Sequence, residues 1–89
     1  MQEVQLTIRN KVGLHARPAA LFVQTANKFK SKVRAINNGR EVDAKSILSV
    51  LTLGAGQGAV ITIIAEGEDE VQALKEMRLL VENNFGEEE

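Results

Sequence analysis

The sequence predicts a two-layer α+β fold in the order β-α-β-β-α-β-α, a four-stranded antiparallel sheet covered on one face by three helices. Three observations lead there. Val4, Leu6 and Ile8 alternate with polar Gln5, Thr7 and Arg9, and Ala59-Val60-Ile61-Thr62-Ile63-Ile64-Ala65 is a β-branched run bounded by glycines, so both read as strands. Apolar residues recur at helical spacing after Pro18 and again after Asp69, so long helices separate strands. Asn38-Gly39, between two short strand-like stretches, is a strong hairpin signal because both residues tolerate positive φ.

The elements follow in order. Strand one is expected from Val4 to Arg9, with its apolar side chains on one face. Ala19, Phe22, Val23, Ala26 and Phe29 then predict a helix that reaches Phe29 and places both phenylalanines in the core. Lys32 to Ile36 and Glu41 to Ala44 bracket the Asn37-Asn38-Gly39-Arg40 turn as antiparallel neighbours. Lys45-Ser46 introduces a short apolar helix from Ile47 to Leu53, with Ser46 as N-cap and Gly54 and Gly56 as breakers. The strand Ala59–Ala65 is central, pairs on both edges and is ended by Gly67. Asp69 with Gln72 three residues later resembles a capping box for the last helix, in which Leu74, Met77 and Val81 form one face, with Ala73 and Leu80 on its flank. Gly86 stops that helix, and Glu87-Glu88-Glu89 reads as a frayed acidic end.

Composition narrows the function. Eighty-nine residues make one domain spanning 1–89, near the lower end of what a single core stabilises unaided. The absence of cysteine removes disulfides, thiol catalysis and thiolate metal sites, and one histidine cannot build a zinc site, so no metal is expected. Met1-Gln2-Glu3 lacks a basic n-region and an apolar h-region, and no apolar run approaches the ~18 residues of a membrane span, so a soluble cytoplasmic protein is expected. The net charge of −1 conceals an uneven distribution. Residues 1–45 carry nine Lys and Arg against three Asp and Glu, and residues 46–89 carry two against nine. A basic half and an α+β fold suggest nucleic acid, but near-neutral net charge and three Phe without Trp or Tyr argue against a stacking or groove-binding surface. Lys28, Lys30, Lys32 and Arg34 alternate as a solvated face.

Candidate chemistry concentrates in Gly13-Leu14-His15-Ala16-Arg17-Pro18. Pro18 is suited to a first helical turn, where an N–H would be unpaired anyway. His15, Ala16 and Arg17 therefore stand at a helix N-terminus, where free amides and the helix dipole favour an anion the size of phosphate. A neutral imidazole, whose ordinary titration lies near neutral pH, is a competent nucleophile toward a phosphoryl group without a separate base. Arg17 adds a permanently charged planar fork suited to phosphoryl oxygens. A lone histidine in a small domain is most often a surface residue with no role. The flanking Gly and Pro argue otherwise, because they fix the backbone around a side chain that gains nothing by burial.

The run Gly13-Leu14-His15-Ala16-Arg17-Pro18-Ala19 resembles the active-site signature of the HPr family, the histidine phosphocarriers of the bacterial phosphoenolpyruvate-dependent sugar phosphotransferase system. The resemblance continues through Lys45-Ser46-Ile47-Leu48-Ser49-Val50-Leu51, Leu53-Gly54-Ala55-Gly56 and Ala65-Glu66-Gly67-Glu68-Asp69-Glu70. It implies the family's open-faced β-sandwich and a monomeric carrier, not an enzyme, that needs no cofactor. Enzyme I would phosphorylate His15, which would pass the group to an Enzyme IIA domain, with Ala16 and Arg17 steadying the phosphoryl group. Docking would fall on Ile47, Leu48 and Leu51, helped by Lys11, Arg17 and Lys45 as a positive surface beside the active site. The family often has methionine at positions 48 and 51, and leucine here keeps the apolar patch while reducing its adaptability.

Ser46 carries two readings. It suits an N-cap, and in part of the family the matching serine is phosphorylated by an ATP-dependent kinase, which would add that kinase or phosphorylase and a catabolite regulator as partners. Phosphate at a helix N-terminus disturbs the fold little and would repel an acidic partner at the edge of the apolar patch. A regulatory binding module acting through phospho-Ser46, and a paralogue serving a nitrogen-linked phosphotransfer chain, are the competing functions.

Overall fold

The strand alternation and helical stripes produce the order β1 (Gln2–Thr7), α1 (Ala16–Ala26), β2 (Lys32–Asn37), β3 (Arg40–Asp43), α2 (Ile47–Leu51), β4 (Val60–Glu66) and α3 (Glu70–Glu82), closed by a 3₁₀ turn at Asn84–Gly86. The computed structural model describes residues 1–86, and the acidic end at 87–89 expected to fray lies outside the described residues. The four strands form one antiparallel sheet in the order β1-β4-β2-β3, with the β-branched β4 paired on both edges as expected. Three helices cover one face and leave the other open, an open-faced sandwich. Among the described residues, no helix is long and apolar enough to cross a membrane.

Period-two burial makes the sheet's inner face. Leu6, Val33, Ala35, Ile61, Ile63 and Ala65 are buried from the strands, and Phe22, Ala26, Val50, Ala73, Met77 and Val81 are buried from the helices. The hairpin forms as its sequence requires, with φ of 53° at Asn38 and 79° at Gly39. Lys32 and Arg34 project from alternate positions of β2, where Arg34 pairs with Glu41 at 3.1 Å, while Lys28 and Lys30 lie in the preceding loop.

Four local expectations differ in the structure. Helix α1 ends at Ala26, not Phe29, because the Asn27 side chain donates to the Val23 carbonyl at 3.0 Å and to the Lys45 carbonyl at 3.2 Å. Phe29 still packs against the core, from a loop. Helix α2 ends at Leu51, with Thr52 capping it through a 2.6 Å bond from its hydroxyl to the Ser49 carbonyl.

The capping box at Asp69 and Gln72 does not form. Asp69 occupies the N-cap position without a capping bond, because its carboxylate instead accepts the backbone N–H groups of Lys30 and Ser31, both at 2.9 Å, and the Ser31 hydroxyl. The Ser31 hydroxyl, then the Lys30 amide, holds the Asp69 carboxyl at a pKa of about 2. Glu70 takes over the local role, accepting from the Gly67 N–H at 3.1 Å and pairing with the Met1 amino group at 3.0 Å. Close approach makes Gly67 necessary here: a Cβ at this φ of 151° would lie 2.6 Å from Ser31 Oγ.

The last helix stops at Glu82, before Gly86, and the chain then turns through positive φ at Asn84 and Phe85. That turn drives the Phe85 ring into the core, where it is 2% exposed. The cost of left-handed backbone in an aromatic residue is offset by burying the ring.

Candidate functional site

Helix α1 begins because His15 adopts an extended conformation, φ −93° and ψ −166°, while its carbonyl already accepts the Ala19 N–H at 2.8 Å. The His15 side chain makes no capping hydrogen bond. Ala16 and Arg17 follow with amides that have no carbonyl one turn back in the helix, and Pro18 has no N–H to satisfy. No acidic residue stands in this first turn. The imidazole thus sits, exposed, at the positive end of α1 beside two amides that have no carbonyl partner within the helix, with the exposed Arg17 in the same turn.

The loop before His15 is held by contacts that local sequence does not announce. Gly13 has φ of 65°, and a Cβ there would meet the Ala55 carbonyl oxygen at 2.3 Å and Gly56 Cα at 2.6 Å. The Leu14 N–H donates to Ala55 O at 2.8 Å, and Asn10 Nδ2 donates to Gly13 O at 2.9 Å. Gln57 Nε2 reaches Arg9 O at 3.1 Å from the same 54–58 loop. Asn10 spaced three residues before Gly13 is the one signal that could have marked this turn, since a short polar side chain commonly bonds local backbone.

Helices α1 and α2 run antiparallel. The α2 exit meets the His15 loop through Leu14 and Ala55, and the α2 start meets the α1 exit through Asn27 and Lys45. Leu48 is 74% exposed, Leu51 41% and Ile47 39%, so α2 presents an apolar surface whose far end lies nearest His15. Ser46 caps α2 by accepting the Ser49 N–H at 3.4 Å, a long bond, and sits at the opposite end of α1 from His15, ~16 Å for eleven residues. Lys45 accompanies Ser46 there. Its ammonium donates to the Phe29 carbonyl at 2.7 Å, so Lys45 does not stand beside His15 as the expected positive surface required, whereas Lys11 and Arg17 flank the histidine in sequence and are exposed.

A family model described as the PTS HPr component phosphorylation site matches residues 2–83. The phosphocarrier protein HPr of Xylella fastidiosa is 49% identical over 98% of both chains. The HPr-like protein Crh of Bacillus subtilis is 45% identical over 92% of this chain and 96% of its own. The crystal structure of HPr-C-His from Thermoanaerobacter tengcongensis, 52% identical, superposes with a TM-score of 0.97 over 100% of both chains. The open-faced sandwich, matched over its full length by that structure, is thus the architecture of a class of small phosphocarrier proteins. Within that class, the chain belongs to the HPr family of the phosphotransferase system.

Proposed function

We propose that this chain relays a phosphoryl group from phosphorylated Enzyme I to an Enzyme IIA domain through a phosphohistidine at His15. The observation that carries the reading is the exposed imidazole at the α1 N-cap, uncommitted to capping and beside the Ala16 and Arg17 amides. In the relay an imidazole nitrogen of His15 attacks phosphorus, a P–N bond forms at His15 as the bond to the donor breaks, and the reverse displacement delivers the group to the acceptor. Arg17 and the helix N-terminus neutralise charge on the phosphoryl oxygens. The partner protein completes the transition-state environment, so one copy of the chain acts as a monomeric cytoplasmic carrier without turnover of its own. Ile47, Leu48 and Leu51 form the docking surface.

Incubation with Enzyme I and labelled phosphoenolpyruvate is expected to leave an acid-labile phosphate on the protein and none on His15→Ala. Labelling of that variant at the wild-type level rejects the assignment.

A second role coexists with the first, regulation through Ser46. Its support is the long 3.4 Å capping bond, little of which is lost on modification, together with the identity to a Crh protein. A base-labile, acid-stable phosphoserine formed by a cognate kinase and ATP tests it.

A further inference from the structure

Strand β1 is an edge strand, paired with β4 on one side only. The Ile8 N–H bonds to Ala59 O and Ile8 O accepts from Gly58 N, both toward β4. In an antiparallel ladder both main-chain groups of a residue point the same way and alternate along the strand, so Leu6 and Val4 also face β4. Glu3, Gln5 and Thr7 therefore turn their N–H and C=O groups outward, off the sheet. Beside this edge lies a groove of about 340 Å³ between β1 and α3, lined by Glu3, Val4, Val71, Leu74, Lys75 and Arg78.

The groove is patterned along its length. Both β1 and α3 start at the same end, where the Met1 amino group pairs with Glu70, so the two elements run roughly parallel. The lining residues of α3 fall at i, i+3, i+4 and i+7, one stripe. Val71, 68% exposed, and half-buried Leu74 make its first part apolar, and Lys75 with Arg78, whose Nε also stands 3.8 Å from Glu82 Oε2 in an exposed pair, makes the second part cationic. The centres of these parts are four helical residues apart, ~6 Å. Two residues of a strand advance about 6.7 Å, so successive inward-facing side chains of an added strand would meet the two parts in turn.

We propose that the β1 edge accepts an extended segment of a partner protein as a fifth strand, with an apolar and an acidic side chain two residues apart facing α3. Main-chain bonds to Glu3, Gln5 and Thr7 supply affinity, and the apolar–cationic groove selects the sequence. The cationic half of the groove sets the choice of an acidic partner over a basic one. His15 lies past the other end of β1, so the segment binds without covering the phosphoryl site, and the inference stands whether or not the relay operates.

A library of short random peptides displayed on phage, selected on the immobilised full chain, tests this. Enrichment of an apolar and an acidic residue at two-residue spacing is expected, with amide shifts at Glu3, Gln5 and Thr7 on titration of a selected peptide. Two variants should each weaken that peptide by roughly tenfold or more: Lys75→Glu with Arg78→Glu, which reverses the groove charge, and Gln5→Pro, which deletes an outward N–H that β4 does not use. Enrichment equal on the charge-reversed variant, selected peptides that bind both variants unweakened, or concentration-dependent self-pairing that fills the edge instead would overturn the proposal.

Discussion

The Leu14 amide donates to the Ala55 carbonyl at 2.8 Å, and this bond joins the loop that carries His15 to the loop that leaves α2. The candidate phosphoryl site and the exposed apolar face of α2 are thereby built on one strut. The strut exists because Gly13 lets two backbones approach closer than any side chain allows.

Gly13→Ala should lose about 2 kcal/mol or more, since it combines a positive φ with a Cβ 2.3 Å from Ala55 O. Gly39→Ala, also at positive φ but with nothing within 4 Å of its Cβ, should lose only about 1 kcal/mol. Thermal melts of both, with rates of phosphoryl acceptance at His15, separate strut from strain: only the first variant should slow acceptance.

Acid stability should report the Asp69 latch. The Asp69 carboxyl is held at about 2 against an ordinary 3.8, so its contribution is complete above about pH 3.8 and is lost as the pH falls through about 2. Glu70, lowered by the Gly67 amide and then by the Met1 amino group, acts in the same direction. Asp69→Asn should therefore melt at a lower temperature than wild type at pH 7. The gap should close between pH 4 and 2, as seen in melts across that range.

Ser46→Ala removes a 3.4 Å capping bond and should cost about 0.5–1 kcal/mol. Ser46→Asp keeps a capping oxygen and adds charge at the α2 N-terminus, so its Tm should stay within a degree or two while transfer to an acidic acceptor slows. A fall in Tm for Ser46→Asp larger than that for Ser46→Ala would place the effect in the fold instead.

Leu48, the most exposed residue of α2, should matter to partners and not to folding. Leu48→Asp is expected to leave the melt unchanged and to raise the half-saturating concentration for Enzyme I roughly tenfold. Unchanged transfer kinetics would move the docking face elsewhere.

Phe85→Ala should cost about 3–5 kcal/mol, as for any large buried ring, although the residue lies in the closing turn. Urea unfolding with an unchanged m-value would confirm a loss of core packing.

Most elements were legible because they repeat a short-range pattern. The alternation at 4, 6 and 8 and the β-branched run of β4 leave one arrangement that buries their apolar faces, and Asn38-Gly39 admits one kind of turn. The place of His15 at a helix start was legible as well, since Pro18 marks a first turn and the His15 carbonyl takes the Ala19 N–H, a bond between near neighbours. The misreadings share a cause. Asp69 has the spacing of a cap, yet its carboxylate goes to Lys30 and Ser31, nearly forty residues earlier, and Lys45, expected beside His15, has its ammonium on the Phe29 carbonyl past the other end of α1. Phe85 fits no periodic pattern and enters the core through a turn.

The amino-acid order by itself determined the strands, the hairpin, the central place of β4 and the histidine that opens α1, because each depends on steric and hydrogen-bonding preferences spanning a few neighbours. Only the tertiary structure decided that Gly13 abuts Ala55, that Asp69 latches the α1–β2 loop, and that Ser46 stands a helix length from His15. Such contacts join residues far apart in the chain, and a polar group that must be satisfied takes whichever partner the packed layers bring within reach.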